Sequence, residues 1–164
     1  MYSIPVVSFV AYSGTGKTTL IEQVVRKLKE LGIRVAVIKH DAHEFEIDHK
    51  GKDSWRMTQA GADVTIVASD KHTAIMENRS LSIDEIISRV NNVDIILTEG
   101  YKHGNWPKIL LHRKDNHKEL PIDPNRCLAV LTDEAILTAT PCYPLGDVDS
   151  VIQLLRSFLP DLVS

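Results

Sequence analysis

Apolar and polar positions fall into blocks along this chain, and the blocks change period at regular intervals. Ile4 to Val10 is a mostly continuous, β-branched apolar run, which predicts a short strand buried on both faces. From Lys17 to Leu31 the period becomes helical. Leu20, Ile21, Val24, Val25, Leu28 and Leu31 recur at steps of three and four, and Gly32 supplies the stop. Arg26, Lys27 and Lys29 suit the negative end of that helix. Val35 to Ile38 is a second buried run. The first forty residues therefore predict a strand, helix, strand unit with parallel strands and a right-handed crossover.

His40 to Lys52 is polar and has no period of either kind, as functional loops in compact domains often do. Asp53 or Ser54 then caps a short helix that reaches Ala60, with Gly61 ending it. Asp63 to Ala68 and Thr73 to Met76 predict two strands joined by a polar turn, an antiparallel hairpin added to the parallel sheet. Ser82 and Glu85 have the spacing of a capping box, ahead of a helix carrying Ile83, Ile86, Ile87 and Val90 on one face. Val93 to Thr98, Ile109 to Leu111 and Leu128 to Leu131 predict further strands, and the charged segment His112 to Glu119 reads as a surface loop. Val151, Ile152, Leu154, Leu155, Phe158 and Leu159 form the apolar face of a C-terminal helix. This alternation predicts one α/β domain over residues 1–164, a three-layer sandwich with a mainly parallel sheet and the added hairpin.

Composition narrows the class. The chain has 164 residues, 43% of them hydrophobic and 25% charged, with a net charge of -3. These are the proportions of a globular protein with one core. A small negative net charge sets up no field that attracts nucleic acid or anionic lipid, so neither is an expected partner, and any anion site must be local. The start of the chain has no secretory signal pattern, and no apolar run is long enough to span a bilayer. Cys127 and Cys142 make no CxxC pair and suit a reducing compartment. The expected location is cytoplasmic.

Chemistry concentrates in "AYSGTGKTTL", Ala11 to Leu20. Gly14 and Gly16 allow consecutive backbone N–H groups to converge on phosphate oxygens. Lys17 adds a point charge for the β and γ phosphates, Thr18 a hydroxyl for Mg²⁺, and the following helix its positive dipole end. The expected cradle is Ser13, Gly14, Thr15, Gly16, Lys17, Thr18 and Thr19, downstream of Ala11, which stands where the consensus loop has Gly. The second partner of the metal is expected at the C-terminal end of a neighbouring strand, where open α/β sheets place ligands. Glu99 is at that end of its strand and Asp94 at the other, so Glu99 is the expected metal residue and Asp94 a surface or cap residue.

The polar segment "KHDAHEFEIDHKGKDS" opens at the same edge of the sheet. Its His and carboxylate content matches no closed zinc site; a switch segment or a second anion site fits better, with Lys52 beside the helix that starts near Asp53. In "AVLTDE", Asp133 is either an acceptor for the N1 and N2 groups of guanine or a turn-forming Asp.

Taken together, "AYSGTGKTTLI", "IKHDAH...DHKGKDSWRMTQAGA", "ILTEGYK" and "PKILLHR" resemble the MobB family of molybdopterin-guanine dinucleotide biosynthesis adapter proteins. The resemblance runs to about Asp133. It implies a P-loop NTPase fold, binding of GTP with Mg²⁺, hydrolysis that is weak at best, and a homodimer. It also implies work beside the guanylyltransferase that joins GMP to molybdopterin, with direct binding of molybdopterin left open. By this likeness Gly14 to Thr19 hold the GTP phosphates, Glu99 stands in the second nucleotide motif, and Asp48, Gly51, Lys52, Asp53 and Ser54 belong to a "D-x-x-G-K-D-S" segment. No residue declares itself as a base for water, so the catalytic residue stays unassigned. A small-molecule kinase remains as an alternative, although no Arg-rich lid is visible; so does a metal-insertion GTPase, for which the His cluster is the local support.

Overall fold

The computed structural model describes residues 3–40, 47–116 and 119–159. The chain divides into two compact units, residues 1–40 with 90–164 and residues 41–89.

The first unit contains β1 (Val6–Val10), β2 (Val35–Lys39), β5 (Ile95–Glu99), β6 (Lys108–His112), β7 (Ala129–Thr132) and β8 (Cys142–Pro144), numbered in chain order. They form one sheet in the order β2-β5-β1-β6-β7-β8, and every pairing in it is parallel. All positions of β1, β5 and β7 are buried, as continuous β-branched and apolar runs predict. β2 departs from that expectation. It is an outermost strand, and of its residues only Ile38 is buried. The helices α1 (Lys17–Glu30) and α4 (Val148–Arg156) bring Leu20, Val24 and Leu28, and Val151 and Leu155, into one core with Phe9, Leu97 and Leu111. Burying each such side chain is worth about 1.5–3 kcal/mol.

Two hydroxyls interrupt this core. Ser8 Oγ and Thr98 Oγ1 are 2.5 Å apart on adjacent central strands, and the Trp106 indole N–H donates to Ser8 Oγ. The ring is reached only because Gly104 lacks a side chain: a Cβ there would lie 2.4 Å from Trp106 Cζ2. At the N-terminal end of β5, Asp94 takes the Arg34 guanidinium at 2.6 and 3.1 Å and the Arg34 amide at 2.7 Å. These bonds hold its carboxyl down at about 2. Asp94 is thus the surface residue expected of it.

Several bounds differ from the sequence reading. β1 starts at Val6, and β8 and a 3₁₀ turn at Pro124–Arg126 were not foreseen. β8 is three residues long and carries no buried side chain, too little for a periodic signal. His112, read as the start of a surface loop, ends β6 and is 4% exposed, with its Nε2 2.6 Å from Glu134 Oε1. The polar partner after β7 is what allows a histidine there.

The second unit holds α2 (Asp53–Gln59), β3 (Val64–Ala68), β4 (Thr73–Glu77) and α3 (Ile83–Arg89). β3 and β4 pair antiparallel, with Ile66 opposite Ile75, and form a two-stranded sheet of their own. The hairpin forms as expected but does not extend the parallel sheet. Only Thr65 of β3 is buried, and a parallel strand needs cover on both faces. Thr65 Oγ1 lies 2.9 Å from Thr58 Oγ1, which ties the hairpin to α2. The capping box is present: Ser82 N–H donates to Glu85 Oε2 at 2.8 Å, and Glu85 N–H to Ser82 Oγ at 3.2 Å.

Candidate functional site

In a parallel sheet every strand ends on the same edge, so β1, β5 and β6 deliver the segments after Val10, Glu99 and His112 side by side. The segment Ala11 to Gly16 links β1 to α1. Gly14 has φ 78° and Gly16 φ 95°, left-handed conformations that a Cβ disfavours. Ala11 is not in that region; among the described residues the only non-glycine ones with positive φ are Asn92 and Tyr101. The methyl of Ala11 therefore brings no backbone strain.

α1 starts without a side-chain cap on its N-terminus, and its first backbone bond runs from Leu20 N–H to Gly16 O at 3.0 Å. The amides of Lys17, Thr18 and Thr19 precede that bond. Orphan donors and the positive dipole end together make an anion site. Behind them, three successive carbonyls of the loop are held. Lys17 Nζ donates to Ala11 O at 3.4 Å, Thr15 Oγ1 to Tyr12 O at 3.0 Å, and Asn116 Nδ2 to Ser13 O at 2.6 Å. Asn116 Nδ2 also donates to Thr15 Oγ1 at 2.9 Å.

Lys17 is half-buried, and burial pushes its ammonium pKa down, opposed by the charge of Glu99 and assisted by that of Lys39. A cation drawn partly out of water gains from an incoming anion. Glu99 is 9% exposed, and Thr18 Oγ1 donates to its Oε1 at 2.9 Å. Gly100 at φ 96° and Tyr101 at φ 53° turn the chain away immediately after it. A hydroxyl and a carboxylate side by side are hard oxygen donors, which fit Mg²⁺ better than a soft transition metal.

The remaining expected residues lie elsewhere. Asp133 follows β7, is exposed, and accepts from Lys114 N–H through Oδ1 at 2.8 Å. Asp48, Gly51, Lys52, Asp53 and Ser54 belong to the second unit, around the start of α2. The Asp48 carboxyl is held below its usual range, first by the Ser54 hydroxyl, then by the His49 amide and Lys52, against the cost of its burial. Lys52 and Asp53 are exposed, and Asp53 pairs with Arg56 at 3.7 Å. Residues 41–46, which carry part of the His and carboxylate cluster, lie outside the described residues. Among the described residues no three His, Cys, Asp or Glu side chains converge as a metal site, and no helix is long and apolar enough to cross a membrane. Burial pushes the Cys127 thiol up to about 11, so it is a packing residue.

Two residues at the loop were missed in the sequence. Asn116 had no motif to mark it. Arg113 was one charge in a run, yet its Nη2 lies 3.7 Å from where a Cβ of Gly16 would be. Pairing of β6 beside β1 brings both there, and that pairing has no local signature.

Comparison with known proteins agrees with this geometry. Residues 6–133 match the family profile described as MobB, molybdopterin guanine dinucleotide synthesis protein B. A molybdopterin-guanine dinucleotide biosynthesis adapter protein of Haemophilus influenzae is 42% identical over 160 residues, 95% of this chain and 90% of its own length. One from Escherichia coli is 38% identical over 165 residues, 95% of this chain and 94% of its own length. The crystal structure of Bacillus subtilis MobB superposes with a TM-score of 0.79 at 27% identity, covering 95% of this chain and 98% of that one.

Proposed function

Because this chain belongs to the molybdopterin guanine dinucleotide synthesis protein B family, we propose that it serves molybdenum cofactor biosynthesis as an adapter that holds GTP and Mg²⁺ at its phosphate loop. The observation that carries this reading is the meeting of Thr18 and Glu99 at 2.9 Å, at the uncapped start of α1. The amides from Ser13 to Thr19 and the Lys17 ammonium bind the phosphates, and Thr18 and Glu99 would hold the metal. Mg²⁺ held by these residues would supply positive charge to the β and γ phosphates. Asp133 is the acceptor proposed for guanine N1 and N2, using the capacity its bond to Lys114 leaves free.

Turnover is expected to be slow. Amides and cations fix a nucleotide, but transfer of phosphate to water also needs a group that orients the water. The segment Asp48 to Ser54 is proposed to answer to the γ-phosphate or to a second anion, with Lys52 as its charge. The whole chain, residues 1–164, acts in this reading as one nucleotide-binding domain of a cytoplasmic homodimer. It works beside the guanylyltransferase, in an assembly that also receives molybdopterin. Exposed Ile66 and Ile75 on the hairpin support an interaction surface there.

Calorimetric titration with GTP and with ATP, each with Mg²⁺, tests the core of this reading. GTP should be preferred, and Lys17→Ala should weaken it about thirtyfold or more. Preference for ATP, or binding indifferent to Lys17, would overturn it. Co-purification with the guanylyltransferase tests the adapter role.

A further inference from the structure

The turn after β6 reaches back to the phosphate loop at two points, through Asn116 to Ser13 and Thr15 and through Arg113 toward Gly16. We propose that residues 113–116 are a second, non-contiguous half of the phosphate site, in which Arg113 contacts the bound phosphates and Asn116 is the positioning residue for the loop amides. This rests on the reading that Ser13 to Thr19 bind a nucleotide.

The role of Asn116 follows from the planarity of the peptide. In a trans peptide the C=O and the next N–H point to opposite sides, and no described peptide is cis. Drawing Ser13 O toward Asn116 therefore turns the Gly14 N–H the other way. Thr15 does the same one residue earlier, because its bond to Tyr12 O turns away the Ser13 N–H. Thr15 gives its only hydroxyl proton to Tyr12, so it must accept from Asn116. The amide is thereby fixed in one orientation, and Thr15, 3% exposed, becomes the middle of a relay. Two successive loop N–H groups are aligned before a ligand arrives, which lowers the ordering cost of binding.

Arg113 has the other half of the chemistry. Its guanidinium is exposed and is paired with no acid among the described residues. The turn that carries it is fastened by Asn116 N–H to Arg113 O at 3.0 Å and by Lys114 N–H to Asp133 Oδ1 at 2.8 Å. With Gly16, Thr19 and Gln23 it lines a cleft along the start of α1. A permanently charged fork beside uncapped helix amides suits the oxygens of a phosphate chain.

The experiment is calorimetric titration, with Mg²⁺ and well below the melting temperature, of GTP and of inorganic tripolyphosphate into the full chain. Arg113→Gln should weaken both ligands about tenfold or more, and Arg113→Lys should recover part of that. Asn116→Ala should weaken both about threefold to tenfold, a loss that a merely stabilising residue would not produce in a protein still fully folded. Melting curves of each free variant check that folding is intact. If Lys17→Ala abolishes binding while Arg113→Gln and Asn116→Ala bind as the parent does, this proposal falls and the nucleotide reading stands. A loss with GTP alone would place Arg113 at the nucleoside and overturn the phosphate contact. If the parent chain binds neither ligand, both readings fall.

Discussion

The strands beside the phosphate loop and the strands of the hairpin are built from the same residue types and end in opposite environments. In β5 every residue is buried and Ile96 is 0% exposed; in β3 and β4, Ile66 is 61% and Ile75 63% exposed. Branched apolar residues select an extended chain, but the number of neighbours decides whether it is covered. β5 lies between β2 and β1, whereas among the described residues β3 and β4 pair as strands only with each other. The first unit is consequently held by long-range burial. The second relies on local devices: the Ser82–Glu85 box, the Thr58–Thr65 contact, and Glu77 flanked by Arg79 and Arg89. Partly exposed ion pairs of that kind contribute little each.

Substitutions can break or sharpen this contrast. Phe9→Ala should have the largest effect, a loss of about 3–5 kcal/mol in denaturant unfolding, since Phe9 is fully buried in the shared core. Gly104→Ala should follow with about 1–3 kcal/mol, because the new methyl meets the Trp106 ring, which is tied to Ser8. Ser82→Ala should cost about 1 kcal/mol. Its loss should show as faster hydrogen exchange confined to α3, and an equal loss of protection in β1 would deny that the second unit is locally stabilised.

Asp94→Asn should remove a stabilising contribution that depends on pH. Its folded-state carboxyl is held near 2 against an ordinary 3.8, so the Arg34 pair stabilises fully above 3.8 and is lost as pH falls toward 2. An acid titration of the variant should lack that part of the fall. Ile75→Thr should be the mildest, within about 0.5 kcal/mol for the isolated chain, because the side chain is exposed. A large loss that depends on protein concentration would instead show this face to be covered in an oligomer.

What could be read in the sequence was local. The phosphate loop, α1 and the capping box are encoded within a few residues each, through glycine conformation, helical period and donor spacing. Glu99 was expected at this edge by rule, since ligands gather where parallel strands end. The site of Asn116 was not, because its partners Ser13 and Thr15 depend on β6 lying beside β1. His112 looked like part of a charged loop for the same reason: its cover comes from Glu134, across a strand pairing that charge patterns do not announce. The hairpin was legible as a hairpin, but its separateness depended on which faces found cover.

The span of the loop's supports sets an order in time. β1 pairs with β5 and β6, Thr18 finds Glu99 81 residues later, and Ser13 finds Asn116 103 residues later. A ribosome releasing this chain from its N-terminus exposes the glycine-rich motif early, when neither strand that flanks β1 has yet been made. The growing polypeptide thus carries its glycine-rich motif long before it has the braces that shape it.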